Sequence, residues 1–121
     1  MKKLLRSFGY ALKGIGYAAA TQLNFRIHLV ATSIAVFMGY ALNISINQWH
    51  WIILCIALVL IAELFNTAIE FLTDLVSPDY NELAGRVKDV SAGAVLLTAV
   101  FALVTGAIIF IPKLQLLFHA A

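Results

Sequence analysis

Residues 63–70, Glu-Leu-Phe-Asn-Thr-Ala-Ile-Glu, follow an apolar run that extends from Trp51 to Ala62. An ionisable side chain is costly in hydrocarbon, and such a residue in a membrane segment is by default a functional candidate. At about 100° per residue, one stripe of a helix collects four polar side chains: Glu63, Asn66, Glu70 and Asp74, with Thr67 beside them. We interpret this stripe as a site that faces protein neighbours rather than lipid.

The composition indicates a membrane protein. Hydrophobic residues make up 63% of the 121 residues and charged residues 12%, with a mean hydropathy of +0.97, whereas soluble domains are about 25% charged. We expect a single domain, 1–121, and an oligomer, because a compact three-helix unit has too little surface to enclose a large site. The single Cys55 excludes an intrachain disulfide and offers no metal cluster, so it is read as a structural thiol.

Three long apolar stretches predict an all-α membrane protein with transmembrane helices over 28–46, 50–73 and 90–111. The first and third contain no Asp, Glu, Lys or Arg, and the second is apolar apart from the polar stripe. Each approaches or exceeds the roughly 20 residues that a helix needs to cross the hydrocarbon core. The first link, Leu42 to His50, is short and polar, and Trp49 and Trp51 at its C-terminal end suit the membrane interface. The second link holds a turn at 77–81, followed by a predicted helix start.

The basic residues predict the orientation. Five precede the first span, two lie between the second and third spans, and only Lys113 falls on the other side. The positive-inside rule then places the N-terminus and the 74–89 link in the cytoplasm and the C-terminus outside. The polar stripe would therefore lie toward the cytoplasmic face, where ATP is found. The net charge of +2 requires no nucleic-acid partner, because these basic groups lie where lipid headgroups or a polyphosphate would be.

Residues 1–20 predict an amphipathic helix that lies in the headgroup layer. Leu4, Phe8 and Leu12 share one helical face, and Lys3, Tyr10 and Lys13 share the opposite one. A signal peptide is the alternative, since 18–20 is Ala-Ala-Ala, but Lys13 interrupts the apolar core that a signal peptide needs. Whether the basic face only anchors the chain or also holds phosphates stays open.

A second charged cluster, 79–89, immediately precedes the third span, and the small residues 91–94 after it allow close helix approach. Lys88 and Asp89 could bind a phosphate and a metal or hydroxyl; the alternative is an ordinary solvated loop. Combined with the intramembrane carboxylates, the cluster favours metal-assisted phosphoryl transfer, in which a carboxylate takes the proton of the attacking hydroxyl. The phosphate-binding loop G-x-x-x-x-G-K-[ST] is absent, so such a kinase would not be of the P-loop type. A non-enzymatic scaffold or channel, with the stripe lining a pore or joining helices, is the second class of function.

The spaced pattern resembles the signature of the small prokaryotic integral-membrane diacylglycerol kinase family: Glu63-x-x-Asn66-Thr67-Ala68-Ile69-Glu70-x-x-x-Asp74, then Glu82-Leu83-x-Gly85-Arg86-x-Lys88-Asp89. The resemblance extends from Tyr10 through the third span. Residues 24–28, Asn-Phe-Arg-Ile-His, resemble the undecaprenol kinase branch more than the branch that acts on diacylglycerol. The resemblance implies a homotrimer in the bacterial cytoplasmic membrane, with active sites between subunits at the cytoplasmic interface. It also implies MgATP and a lipid alcohol as the reactants.

The same resemblance implies roles for matching positions. Glu63 would be the general base, Glu70 would bind the metal, and Asn66 and Asp74 would support the polar site. The nucleotide would contact Lys3, Tyr10, Gln22, Glu70, Asp79, Tyr80, Asn81, Lys88 and Asp89, and the lipid entrance would be lined by Asn24, Phe25 and Arg26. Gln22 stands where the family usually has a metal-binding glutamate, and a neutral amide is a weaker ligand for a hard cation. His28 is either a substrate contact or simply the end of the span.

Overall fold

A computed structural model describes residues 1–120, which form four α-helices in a row. The helices are α1 (Lys2–Thr21), α2 (Leu23–Ala41), α3 (Ile46–Val76) and α4 (Glu82–Ala120). The last three are long and apolar enough to cross a membrane, and no strand occurs in the described part of the chain. The all-helical prediction with three membrane-spanning candidates is confirmed. The position of α1 in the headgroup layer stays a prediction.

The first long helix has different ends from those predicted. α2 begins at Leu23 instead of residue 28 and ends at Ala41 instead of residue 46. Asn43 has a φ of 50°, in the left-handed region, which breaks the helix. Ser45 then starts α3 with a capping box: its Oγ accepts from the Gln48 N–H at 3.2 Å, and the Gln48 Oε1 accepts from the Ser45 N–H at 2.9 Å. The prediction of one helix through residue 46 was therefore wrong at its C-terminal end.

The turn between α2 and α3 is packed tightly against an apolar core. A Cβ on Gly39 would lie 2.6 Å from Cη2 of Trp49, so this helix position requires glycine. The Trp49 ring also lies against Tyr40, with ring centroids 5.0 Å apart. Next to this turn, α3 and α4 contribute the buried core residues, together with one residue of the turn itself: Ile44, Ile52, Ile109 and Phe110.

The last two helices continue beyond the predicted spans. α3 extends past residue 73 to Val76, and α4 continues past residue 111, through Pro112, to Ala120. At 1.5 Å per residue, the 39 residues of α4 measure about 58 Å, nearly twice the roughly 30 Å hydrocarbon core. The start of α4 at Glu82 confirms the predicted helix start. It is capped by Asn81, whose Oδ1 accepts from the Ala84 N–H at 3.1 Å.

The clustered apolar core and the buried polar residues lie at different ends of the helices. α3 and α4 form the main helix pair, and α2 packs on α3. The apolar core lies near the α2–α3 turn, whereas the buried polar residues lie further along α3 and at the start of α4: Glu63, Asn66, Thr67 and Ser91. α1 reaches this polar end, because Ala18 is buried and the Tyr17 ring lies 5.7 Å from the ring of Phe71.

Candidate functional site

The polar stripe of α3 runs from the interior of the chain to its surface. Glu63, Asn66 and Thr67 are buried, with exposed fractions of 2%, 8% and 6%. Glu70 is half-buried, and Asp74 is exposed. The buried half of the stripe thus faces protein, as the sequence predicts. A group that enters from the exposed end would meet successive carboxylates on one helical face.

The carboxylate of Glu63 faces a histidine from the neighbouring helix. Nε2 of His28 on α2 lies 3.3 Å from Oε1 of Glu63, and the His28 side chain is 23% exposed. The sequence left His28 open between a substrate contact and the end of a span. Helical periodicity relates residues of one helix only, so the pairing of two positions 35 apart could not be read from it.

The amide of Asn66 links the two glutamates of the stripe. Its Nδ2 donates to Oε1 of Glu70 at 3.4 Å, one turn away. In contrast, Oδ1 of Asn66 and Oγ1 of Thr67 are buried and have no hydrogen-bond partner within residues 1–120. Buried polar atoms without partners cost about 1–3 kcal/mol each, so they usually meet a ligand, an ion, water or another chain. Both atoms are oxygens that can accept a hydrogen bond or bind a cation.

An ion pair joins the exposed end of the stripe to the second charged cluster. Nζ of Lys88, near the start of α4, lies 2.5 Å from Oδ1 of Asp74, near the end of α3. Both side chains remain solvent-accessible, at 39% and 62%. The two polar segments that the sequence singled out therefore meet at one end of the chain. Arg86 pairs with Glu82 within α4 only, at 2.9 Å, on an exposed surface.

The other residues predicted to contact a nucleotide form no described contact with the side chains of the stripe. Lys3 and Tyr10 are exposed on α1, and within the described residues neither forms an ion pair with the carboxylates. Gln22 lies between α1 and α2 and donates from Nε2 to Oγ1 of Thr21 at 3.2 Å. The remaining four predicted contacts are all exposed near the start of α4: Asp79, Tyr80, Asn81 and Asp89. Within residues 1–120, only the Asp74–Lys88 ion pair connects the two polar segments directly.

The residues predicted to line a lipid entrance divide into two kinds. Asn24 and Arg26 are exposed at the start of α2, whereas the ring of Phe25 is buried, at 1% exposure. An apolar cavity of about 330 Å³ lies between α2, α3 and α4, and its wall on α2 begins at Ile27, after these three residues. His28 and Val59 line it near the polar site, and Ile52 and Phe110 line it near the apolar core. An apolar chain in this cavity would bring its polar end toward His28 and Glu63.

These features define a small helical membrane protein with a carboxylate site at one end of its helices. Comparison with known families identifies it further: the chain belongs to the family described as prokaryotic diacylglycerol kinase, whose model matches residues 9–110. The protein is therefore a lipid kinase of a bacterial membrane family, and the prediction from the sequence is confirmed. The family argues against the non-enzymatic scaffold or channel.

The similar proteins are named after two different substrates, undecaprenol and diacylglycerol. The chain is 38% identical over 114 residues to the undecaprenol kinase of Bacillus subtilis, covering 94% of this chain and 93% of that one. It is 43% identical over 112 residues to the diacylglycerol kinase of Synechocystis, of whose length it spans 64%. It is also 33% identical over 107 residues to the diacylglycerol kinase of Escherichia coli, covering 88% of both chains.

Proposed function

We propose that this protein transfers the γ-phosphate of ATP to undecaprenol, giving undecaprenyl phosphate and ADP. The observation that carries the proposal is the buried carboxylate of Glu63 in contact with His28, which lines an apolar cavity. Such a carboxylate can accept a proton from the hydroxyl of an apolar alcohol. The choice of undecaprenol is supported by the similarity to the Bacillus enzyme over nearly its full length and by the stretch 24–28.

Diacylglycerol is the second candidate substrate, and phosphatidic acid would then be the product. It is favoured by the 43% identity to the Synechocystis protein, which exceeds the identity to the Bacillus protein. Both alcohols present one hydroxyl on a long apolar body. The reaction and the base are therefore the same for either substrate.

In the proposed reaction, Glu63 acts as the general base. The hydroxyl oxygen of the lipid attacks the γ-phosphorus, and the bond from that phosphorus to the β,γ-bridging oxygen breaks, so that ADP leaves. The hydroxyl proton passes to the carboxylate of Glu63. Because a lipid alcohol is a weak acid, proton removal accompanies phosphoryl transfer rather than preceding it.

The nucleotide would lie at the exposed end of the stripe. Lys88 brings a positive charge next to Asp74 and can turn toward phosphate oxygens, since both side chains are solvent-accessible. Phosphoryl transfer is promoted by cations placed on the transferring group. The remaining predicted nucleotide contacts come from α1 and from the region where α4 starts: Lys3, Tyr10, Asp79, Tyr80, Asn81 and Asp89.

The residues of the stripe fit a magnesium ion that arrives with ATP. Within residues 1–120, no group of three or more His, Cys, Asp or Glu side chains could hold a metal ion by itself. Mg²⁺ needs no such cage, because it is usually bound by one or two carboxylates together with phosphates and water. Glu70 and the unpartnered Oδ1 of Asn66 supply oxygens of this kind, and Gln22 would add a neutral oxygen. The bound ion would neutralise phosphate charge.

We further propose a homotrimer in the bacterial cytoplasmic membrane, with the N-terminus in the cytoplasm and α1 at the membrane surface. Two observations support an oligomer: the unpartnered oxygens of Asn66 and Thr67, and the lack of an ion pair between Lys3 and any carboxylate in residues 1–120. A neighbouring subunit can complete the site in each case. The basic residues on the N-terminal side support the orientation.

A competition assay tests the proposed function. The purified protein in lipid vesicles is given MgATP with equimolar undecaprenol and diacylglycerol, and both phosphorylated products are measured. We expect undecaprenyl phosphate to form faster. Faster formation of phosphatidic acid would support the second candidate, and the absence of both products would contradict the proposed lipid kinase reaction.

A further inference from the structure

We infer that His28 is a positioning residue for the proposed base, Glu63. In this role the imidazole holds one carboxylate oxygen and leaves the other to accept the proton of the lipid hydroxyl. The inference rests on the proposed function, because it assigns His28 to the same reaction. It differs from a substrate contact, since His28 would act through Glu63 and not on the lipid.

The contact itself is specific. Nε2 of His28 lies 3.3 Å from Oε1 of Glu63, across the interface between α2 and α3. In residues 1–120, no other basic side chain lies within 4.0 Å of this carboxylate. Histidine can donate to Oε1 in both forms that carry a hydrogen on Nε2, which are the cation and one of the two neutral tautomers. The glutamate therefore has one oxygen in contact and one oxygen without a described partner.

Burial makes this contact important for the geometry of the base. Glu63 is 2% exposed, so water cannot orient its carboxylate in the way it does at a surface. A glutamate side chain has three rotatable torsions, and reaction requires the base within about 3 Å of the proton donor. A contact from a different helix fixes the position of the carboxylate relative to α2, where Asn24 and Arg26 of the predicted lipid entrance lie.

The surroundings of His28 explain why a histidine suits this position. The residue also lines the apolar cavity, together with Ala31 and Val59. Histidine combines one N–H donor with a compact, partly apolar ring, and it can complete the wall while donating at its tip. His28 neither accepts the hydroxyl proton nor contacts phosphate in this scheme. The proton moves from the lipid to Glu63 only.

Three substitutions at His28 test the inference. His28→Gln places an amide N–H near the position of Nε2, His28→Asn carries the same amide one methylene shorter, and His28→Leu removes the donor. His50 provides matched controls, as an exposed histidine in the first turn of α3. Each variant is assayed for kcat and for the KM of lipid and of ATP, and its oligomeric state and thermal unfolding are measured in the same detergent.

We expect His28→Asn and His28→Leu to lower kcat by about 10–100-fold, the usual effect of losing an orienting partner, with both KM values nearly unchanged. His28→Gln should recover most of kcat, and the corresponding His50 variants should match the parent protein. Comparable kcat in the Gln and Asn variants would overturn the inference even if His28→Leu fails to fold. So would a loss that appears only in the KM of the lipid, which would mark a substrate contact.

The outcome separates the inference from the proposed function on which it rests. If the parent protein phosphorylates undecaprenol or diacylglycerol and the His28 variants keep its kcat, only the role of His28 is wrong. If the parent protein phosphorylates neither alcohol, the proposed function fails and the inference fails with it.

Discussion

Replacement of Glu63 by glutamine tests the proposed base with the smallest structural change. The two side chains have the same shape. In the parent protein, Nε2 of His28 lies 3.3 Å from Oε1 of Glu63, and Oε1 of the glutamine amide can accept a hydrogen bond at the same place. A neutral amide is also easier to bury than a carboxylate at 2% exposure. Glu63→Gln should therefore leave folding and assembly intact and remove only the ability to accept a proton.

The expected fall in kcat follows from the loss of proton acceptance alone. General base catalysis contributes about 10²–10⁴-fold to a rate, which corresponds to about 2.7–5.4 kcal/mol of barrier at 1.36 kcal/mol per factor of ten. We expect kcat of Glu63→Gln to fall by this factor, with the KM of ATP almost unchanged, because Lys88 and Asp74 lie at the other end of the stripe.

The assay measures phosphate transfer from labelled ATP to undecaprenol in vesicles, beside size-exclusion chromatography and thermal unfolding. Glu63→Asp is the matched control, since it keeps a carboxylate that is one methylene shorter. It should retain more activity than Glu63→Gln. A glutamine variant with more than a tenth of the parent kcat would refute the assignment of Glu63 as the base.

Three further substitutions probe other parts of the molecule. Gln22→Glu supplies a third carboxylate and should lower the Mg²⁺ concentration that gives half-maximal activity; an unchanged Mg²⁺ titration would remove Gln22 from the metal site. Lys88→Met should raise the KM of ATP about tenfold or more through the loss of a phosphate contact, without shifting thermal unfolding, because its ion pair is exposed; an unchanged KM would contradict the nucleotide contact. Gly39→Ala should destabilise the fold by about 1–3 kcal/mol, because the new Cβ would lie 2.6 Å from Trp49. Gly16→Ala, with no atom within 4 Å of the new Cβ, should cause no loss in the same unfolding measurement, and equal behaviour of the two glycine variants would refute the packing argument.

The helices were predictable because each long apolar stretch carries its own signal. Hydrophobic length indicated three spans, and the structure has helices at all three places. The ends were less predictable, since they depend on local contacts. α2 ends at Ala41 because of the backbone at Asn43 and the cap at Ser45, although the residues that follow Ala41 are as uncharged as those before it. Hydropathy does not register a change of backbone direction within an uncharged segment.

The candidate site was predictable where its residues lie on one helix. The spacing of Glu63, Asn66 and Glu70 places them on one face whatever the tertiary structure. The contact of Glu63 with His28 depends on the relative rotation of α2 and α3, which the pattern of a single helix does not fix. The ion pair Asp74–Lys88 was predictable in part. The sequence indicated that the polar stripe and the 79–89 cluster lie at the same membrane face, but only the structure shows that Asp74 pairs with Lys88.

The distance along α3 between the apolar core and the carboxylate site gives a last prediction. Ile52 in the apolar core and Glu63 in the site are 11 residues apart on one helix, or about 16 Å at 1.5 Å per residue. Substitutions farther apart than about 7–10 Å and without shared contacts usually have additive effects. The change in unfolding free energy of the double variant Gly39→Ala, Glu63→Gln should therefore equal the sum of the two single changes, and its kcat should match that of Glu63→Gln. If the change in unfolding free energy differed from that sum beyond experimental error, the turn and the site would be coupled through α3. The apolar packing at one end would then contribute directly to the geometry of the carboxylate at the other.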